Sequence, residues 1–160
     1  MEYYREYYRD RGIYENRVYD GMEEVLKELK NRGMSLVVAT SKPEPFARQI
    51  IDHFHLARYF DYVAGMELNG GRGTKEEVIR YGLAACNITD KSRVLMVGDR
   101  EHDVIGAKAA GIDCLGVLYG FGTREELIKA GADDLAETVE EIRNSSACNC
   151  ALAAQLAANE

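Results

Sequence analysis

Positive charge is what this sequence is short of. Across 160 residues, 20 Lys and Arg stand against 27 Asp and Glu, for a formal net charge of −7. That balance excludes a broad electrostatic surface for nucleic acid or an anionic membrane, so any anionic ligand has to be held by a few local cations and helix N-termini. A small-molecule partner is expected. No uninterrupted apolar run is long enough to span a bilayer, and Met1 to Gly12 is charged and Tyr-rich without the apolar core of a signal peptide. A cytoplasmic location follows as an expectation. Cysteine is sparse: Cys86 and Cys114 stand alone inside a predicted helix and strand, where a reduced, buried thiol is the default. Cys148 and Cys150 form the one close pair, and two thiolates without a second pair leave a metal site incomplete. His53 and His55 have no nearby Cys or third His and read as solvent-facing or capping residues.

What is present is an alternating α/β chain. A hydrophobic fraction of 46% supports one domain with a substantial core. Val94-Leu95-Met96-Val97 reads as a strand buried on both faces, followed by a turn at Gly98 and then Asp99 and Asp103, four apart at the start of a helix. Two carboxylates at the carboxyl edge of a parallel sheet suit a hard cation such as Mg²⁺. Upstream, Ser35 to Ala39 is a second buried strand, ending in Thr40-Ser41-Lys42-Pro43, where hydroxyls and backbone N–H groups suit a phosphate. The flexible loop Asn69 to Thr74 opens a helix from Lys75 to Cys86. A lysine at the electrostatically poor end of a helix favours a functional reason for its presence. Further strands are expected at Tyr59 to Ala64, Asp113 to Leu118 and Asp134 to Ala136, and further helices after Asp20-Gly21, through Phe46 to Phe54, from Thr123 and from Thr138. Such alternation predicts a three-layer, Rossmann-like parallel sheet. Tyr3, Tyr4, Tyr7 and Tyr8 line one face of an N-terminal helix. From Asn144 onward the sequence reads as a tail, disordered or weakly helical.

Thr40 with Ser41, Lys75, and Gly98-Asp99 with Asp103 occur in that order. The chain thereby resembles the haloacid dehalogenase superfamily, in particular its phosphoglycolate phosphatase-like branch, through Val38 to Pro43, Val97 to Asp103 with Ala107 to Gly111, and Gly116 to Gly122. The resemblance implies that Thr40 and Ser41 bind phosphoryl oxygens, that Lys75 neutralises phosphate and nucleophile, and that Asp99 and Asp103 hold Mg²⁺, with a small phosphorylated metabolite as substrate. It also implies three segments: residues 1–16 as the last helix of a helical cap, 17–143 as the α/β core, and 144–160 as the tail. The superfamily's first motif, an apolar strand ending in Asp-x-Asp-Gly-Thr, has no counterpart here. The single Asp-Gly pair, Asp20-Gly21, follows a connector. Without that nucleophile the covalent route through an aspartyl-phosphate is closed to these 160 residues. In the superfamily that strand lies between those ending at Thr40 and Asp99, so two inner sheet edges are expected to open to self-association. The chain therefore reads as the C-terminal part of a Mg²⁺-dependent phosphatase, inactive as it stands. The rival readings are a non-catalytic phosphate- and cation-binding module or gene remnant, and a phospho-acceptor domain using Asp99.

Overall fold

The computed structural model describes residues 17–145 and, for the backbone, 151–154. Six strands form one sheet: β1 (Ser35–Pro43), β2 (Tyr62–Met66), β3 (Val94–Gly98), β4 (Asp113–Val117), β5 (Asp134–Ala136) and β6 (Ala151–Ala154). Their order across the sheet is β2-β1-β6-β3-β4-β5, and all five pairings are parallel. Five α-helices lie among the described residues: α1 (Met22–Asn31), α2 (Glu44–His53), α3 (Lys75–Ala85), α4 (Glu101–Ala110) and α5 (Arg124–Ala130). The last expected helix is a 3₁₀ segment, Glu140–Asn144.

The strands bury side chains on both faces, as parallel strands covered by crossover helices must. Leu36, Val38, Leu95, Val97, Leu115 and Val117 face a cluster completed by Val25, Leu26 and Leu29 of α1 and Ile51 of α2. Ala39, Met96 and Cys114 face the opposite cluster, built on Val78, Ile79 and Leu83 of α3, Val104 and Ala107 of α4, and Leu127 of α5. The result is the three-layer α/β fold that the alternation of elements predicts. Cys114 is buried, and desolvation pushes its thiol up to about 12, so it is chemically inert. Cys86 is only half-buried. Among the described residues no helix is long and apolar enough to cross a membrane.

Two expectations need correction. Residues 151–154, read as part of a disordered or weakly helical tail, form β6 instead. An Ala-rich stretch favours helix by local propensity, but β1 and β3 present inner rows of N–H and C=O groups that must be paired, and that demand overrides propensity. Ser35 to Val38 pair with Ala151 to Ala154 on one side, and Val94 to Val97 pair with the same four residues on the other. The loop before α3, expected to be flexible, is tied down by Arg72. Its guanidinium donates to the Gly65 carbonyl at 2.8 Å and to Glu44 at 2.9 Å, and it lies 3.7 Å above the Tyr81 ring. The expected N-terminal helix and its Tyr face, and the Cys148/Cys150 pair, lie outside the described residues.

Candidate active site

Strand register places the site. Val38 and Val97 both pair with Ala154, so Thr40 and Asp99, each two residues further on, stand level at the carboxyl edge on either side of the line of β6. Two strand spacings separate them, about 10 Å. Thr40 is buried, and its Oγ1 accepts from the Lys42 N–H at 3.1 Å, which leaves the hydroxyl proton free to donate. Ser41 beside it is half-buried. The start of α2 is served by its own Glu44, whose carboxylate takes Arg48 and Arg72.

Lys75 closes the gap between the two strand ends. The capping box of α3, in which Thr74 Oγ1 accepts from the Glu77 N–H and Glu77 accepts from Thr74 N, fixes where the helix begins and so where Lys75 projects. The side chain is 3% exposed, and its ammonium donates to the Ala39 carbonyl at 3.1 Å and pairs with Asp103 Oδ1 at 2.8 Å. Its stem runs beneath Gly106 of α4, where an added Cβ would meet Lys75 Cγ at 2.5 Å. In an ordinary helix Gly→Ala gains about 0.5–1 kcal/mol, whereas overpacking of this kind costs about 1–3 kcal/mol. Gly106→Ala is therefore expected to lower stability by roughly 1 kcal/mol, read from the urea midpoint; a more stable variant would show that the stem has room to move.

The two aspartates divide their work. Asp103 is fully buried and committed: Oδ2 accepts from the backbone N–H groups of Asp99 and Arg100, each at 3.1 Å, while Oδ1 faces Lys75. Asp99 is also buried, and its Oδ2 accepts from the Phe121 N–H at 2.8 Å. Its Oδ1 is buried with no hydrogen-bond partner among the described residues. Burial raises the Asp99 carboxyl above its ordinary value; the Phe121 bond opposes the shift and the Asp103 charge adds to it. A buried, unshared carboxylate oxygen is a fitting donor for a hard cation that takes one or two carboxylates and completes its shell with water or phosphate. No cluster of three or more acidic, His or Cys side chains suited to a metal occurs among the described residues.

Sequence reasoning reads Gly120-Phe121-Gly122 as a loop after β4 but gives it no role at the site. Gly120 and Gly122 let it lie against Asp99, where a Cβ on Gly120 would meet Asp99 Oδ2 at 2.5 Å. Glu126 of α5 accepts from Arg100 Nε and from the Glu101 N–H, both at 2.9 Å, and so holds the Asp99 turn from outside. The Gly-Phe-Gly spelling was the available signal for the loop; Glu126 carried none. The structure thus brings Thr40, Lys75, Asp99 and Asp103 together at one sheet edge. His53 lies in the last turn of α2, and His55 follows that helix with a left-handed φ of 57°, both away from the site residues in sequence.

A buried hydroxyl, ammonium and carboxylate stand together at the carboxyl edge of a parallel α/β sheet, a set of groups whose chemistry suits a phosphoryl group and a cation. The sequence profile of the haloacid dehalogenase-like hydrolases matches residues 1–117, and the chain belongs to that family. It is 49% identical over 132 residues to a 5'-nucleotidase of Pseudomonas aeruginosa, covering 79% of this chain and 57% of that one. It is 40% identical over 144 residues to the tyrosine-protein kinase PtkA of Mycobacterium tuberculosis, covering 89% and 49%. Phosphoglycolate phosphatases are among its further relatives. The crystal structure of a predicted phosphatase from Clostridium acetobutylicum superposes with a TM-score of 0.85 at 50% identity, covering 89% of this chain and 66% of that one. The chain thus spans about half the length of the curated relatives it matches.

Proposed function

We propose that this chain carries the phosphate- and cation-binding half of a Mg²⁺-dependent phosphatase for small phosphate monoesters of the phosphoglycolate or nucleotide kind. The observation that carries the reading is the convergence of Thr40, Lys75 and the unshared Asp99 Oδ1 on one sheet edge. Asp99 would hold the Mg²⁺, with Asp103 behind it orienting the turn and restraining Lys75. Bound there, the cation would supply charge neutralisation and polarise a phosphoryl oxygen. In this reading Thr40 donates its hydroxyl proton to a phosphoryl oxygen, Ser41 adds a second donor, and the Lys75 ammonium neutralises the phosphate charge. These contributions are positioning and electrostatic, which is most of what phosphoryl transfer requires.

The attacking carboxylate is the part these residues do not supply. Asp103 is tied to two N–H groups and an ammonium, and Asp99 faces the cation position. A carboxylate level with Thr40 and Asp99 would have to arrive along the line of β6, whose sequence Ala151 to Ala154 is followed by Gln155 and Leu156. The chain is therefore expected to bind Mg²⁺ and inorganic phosphate by titration calorimetry and to hydrolyse an aryl phosphate no faster than background. Fusion of an upstream segment with an apolar strand ending in Asp-x-Asp-Gly-Thr is expected to bring turnover. Hydrolysis by the chain alone that disappears in Asp99→Asn would overturn this assignment of roles.

The composition of β6 favours a second reading, a module that binds phosphate and cation and performs no chemistry. In that case the fused variant binds both ligands and remains inactive. A cytoplasmic setting suits either reading.

A further inference from the structure

Thr40 and Lys75 approach one another from different elements, Thr40 near the end of β1 and Lys75 at the start of α3. A lysine reaches its partners on a flexible stem, so the backbone it springs from has to be held in place. The capping box fixes where α3 begins, but not where that helix stands against β1. Arg72, three residues before Lys75, makes this second connection. Its side chain is 11% exposed, and each guanidinium nitrogen has a partner: Nε donates to the Gly65 carbonyl at 2.8 Å, one Nη to Glu44 at 2.9 Å and the other to Glu67 at 3.2 Å. Its carbon lies 3.7 Å from the centre of the Tyr81 ring of α3. Glu44 opens α2 directly after Pro43, and Gly65 is pressed against the same turn, where an added Cβ would meet the Lys42 carbonyl at 2.6 Å and Glu44 Cα at 2.7 Å. The turn Ser41 to Pro43 is therefore held on both sides, by the Lys75 ammonium at the Ala39 carbonyl and by Arg72 at Glu44.

We propose, resting on the reading of Thr40, Ser41 and Lys75 as a phosphate pocket, that Arg72 is a positioning residue for that pocket: it clamps the loop into α3 to Glu44 and Gly65, and so holds the Lys75 ammonium at a fixed separation from the Thr40 and Ser41 hydroxyls. With its nitrogens and its ring face engaged, it acts through the loop and touches no ligand. A nearly buried guanidinium is costly unless its donors are met, and lysine cannot replace it here, because a point charge lacks the planar fork that bonds three ways and stacks. Asp99 stands across β6 at the end of β3, so the cation position does not depend on the clamp.

The test compares the full chain with Arg72→Lys, titrating inorganic phosphate and Mg²⁺ separately by calorimetry and following amide hydrogen exchange. Arg72→Lys is expected to weaken phosphate about tenfold, the scale of one misplaced charge-assisted hydrogen bond, and to leave Mg²⁺ affinity unchanged. Exchange at the Gly73, Thr74 and Glu77 amides, which are tied together at the head of α3, is expected to speed about tenfold while the amides of β3 and β4 keep their protection. Glu44→Gln cuts the same link from the other side, so the double variant is expected to bind phosphate no more weakly than the worse single one. Unchanged phosphate affinity in Arg72→Lys overturns the proposal, as do equal losses for phosphate and Mg²⁺, which would report general loosening. If the wild-type chain binds no phosphate, the pocket reading fails by itself, and unchanged exchange at the three amides then overturns the clamp. Should Arg72→Lys not fold, Tyr81→Leu removes the stacked ring from the surface of α3 and is expected to weaken phosphate about threefold, whereas Tyr81→Phe keeps the ring and is expected to match the wild type. Equal affinities in those two variants would also overturn the proposal.

Discussion

Asp103→Ala is expected to cost about 3–5 kcal/mol of folding stability, the range for breaking a buried ion pair by removing one partner. The carboxylate is fully buried, and three groups depend on it: the Lys75 ammonium at 2.8 Å and the backbone N–H groups of Asp99 and Arg100. Alanine removes the carboxylate that pairs with the ammonium at 2.8 Å, and it strands two N–H groups at the turn that forms the site. Lys75→Met also breaks the pair but leaves both N–H donors on the carboxylate, so its loss is expected near the lower end of that range. The ordering Asp103→Ala worse than Lys75→Met, measured by urea denaturation with unchanged m-values, is the discriminating result. Losses below 1 kcal/mol in both would show that water reaches the pair.

Asp99→Asn is expected to stabilise the chain in the absence of divalent cations and to remove its response to Mg²⁺. Burial raises the folded-state carboxyl above its ordinary value of 3.8, so ionisation opposes folding. The sign follows from proton counts. Below 3.8 both states are protonated and nothing is lost; between that value and the raised one the folded state holds more protons, so stability falls as pH rises; above the raised value the penalty is complete. Asparagine removes it, and at pH 7 without Mg²⁺ the variant should gain about 1 kcal/mol, a difference that shrinks toward pH 4. Magnesium at ten times its Kd should stabilise the wild-type chain by about 1.4 kcal/mol and leave the variant unmoved. A variant that still responds to Mg²⁺ would place the cation elsewhere.

Much of this arrangement could be read from the residues. Val94 to Val97 announces a strand covered on both faces, and the spacing of Asp99 and Asp103 announces a turn into a helix. Thr123 caps α5 as its position suggests, its Oγ1 accepting from the Glu126 N–H at 3.1 Å. The pairing of Lys75 with Asp103 was not legible, because it depends on Gly106 admitting the lysine stem between two helices. Nor was the unequal division of labour between the aspartates, which arises from how closely the turn at Gly98 approaches Asp103. The hardest element was β6. Nothing in Ala-Leu-Ala-Ala specifies a strand; the specification lies in two edges, one more than a hundred residues upstream and the other nearly sixty. Propensity arguments consider one segment at a time, and here the decisive groups belong to other segments.

The position of β6 also sets the order of events during synthesis. Leu36 pairs with Leu152, more than a hundred residues later in the sequence, so the centre of the sheet cannot be completed until residues 151–154 have been made. Helices and peripheral strands can assemble earlier, but the two halves must wait with unpaired inner edges while the remaining residues are added at about 5–20 per second. Contacts so distant in sequence also slow folding after release. The exposure of those edges to aggregation therefore ends only when residues 151–154 dock between β1 and β3.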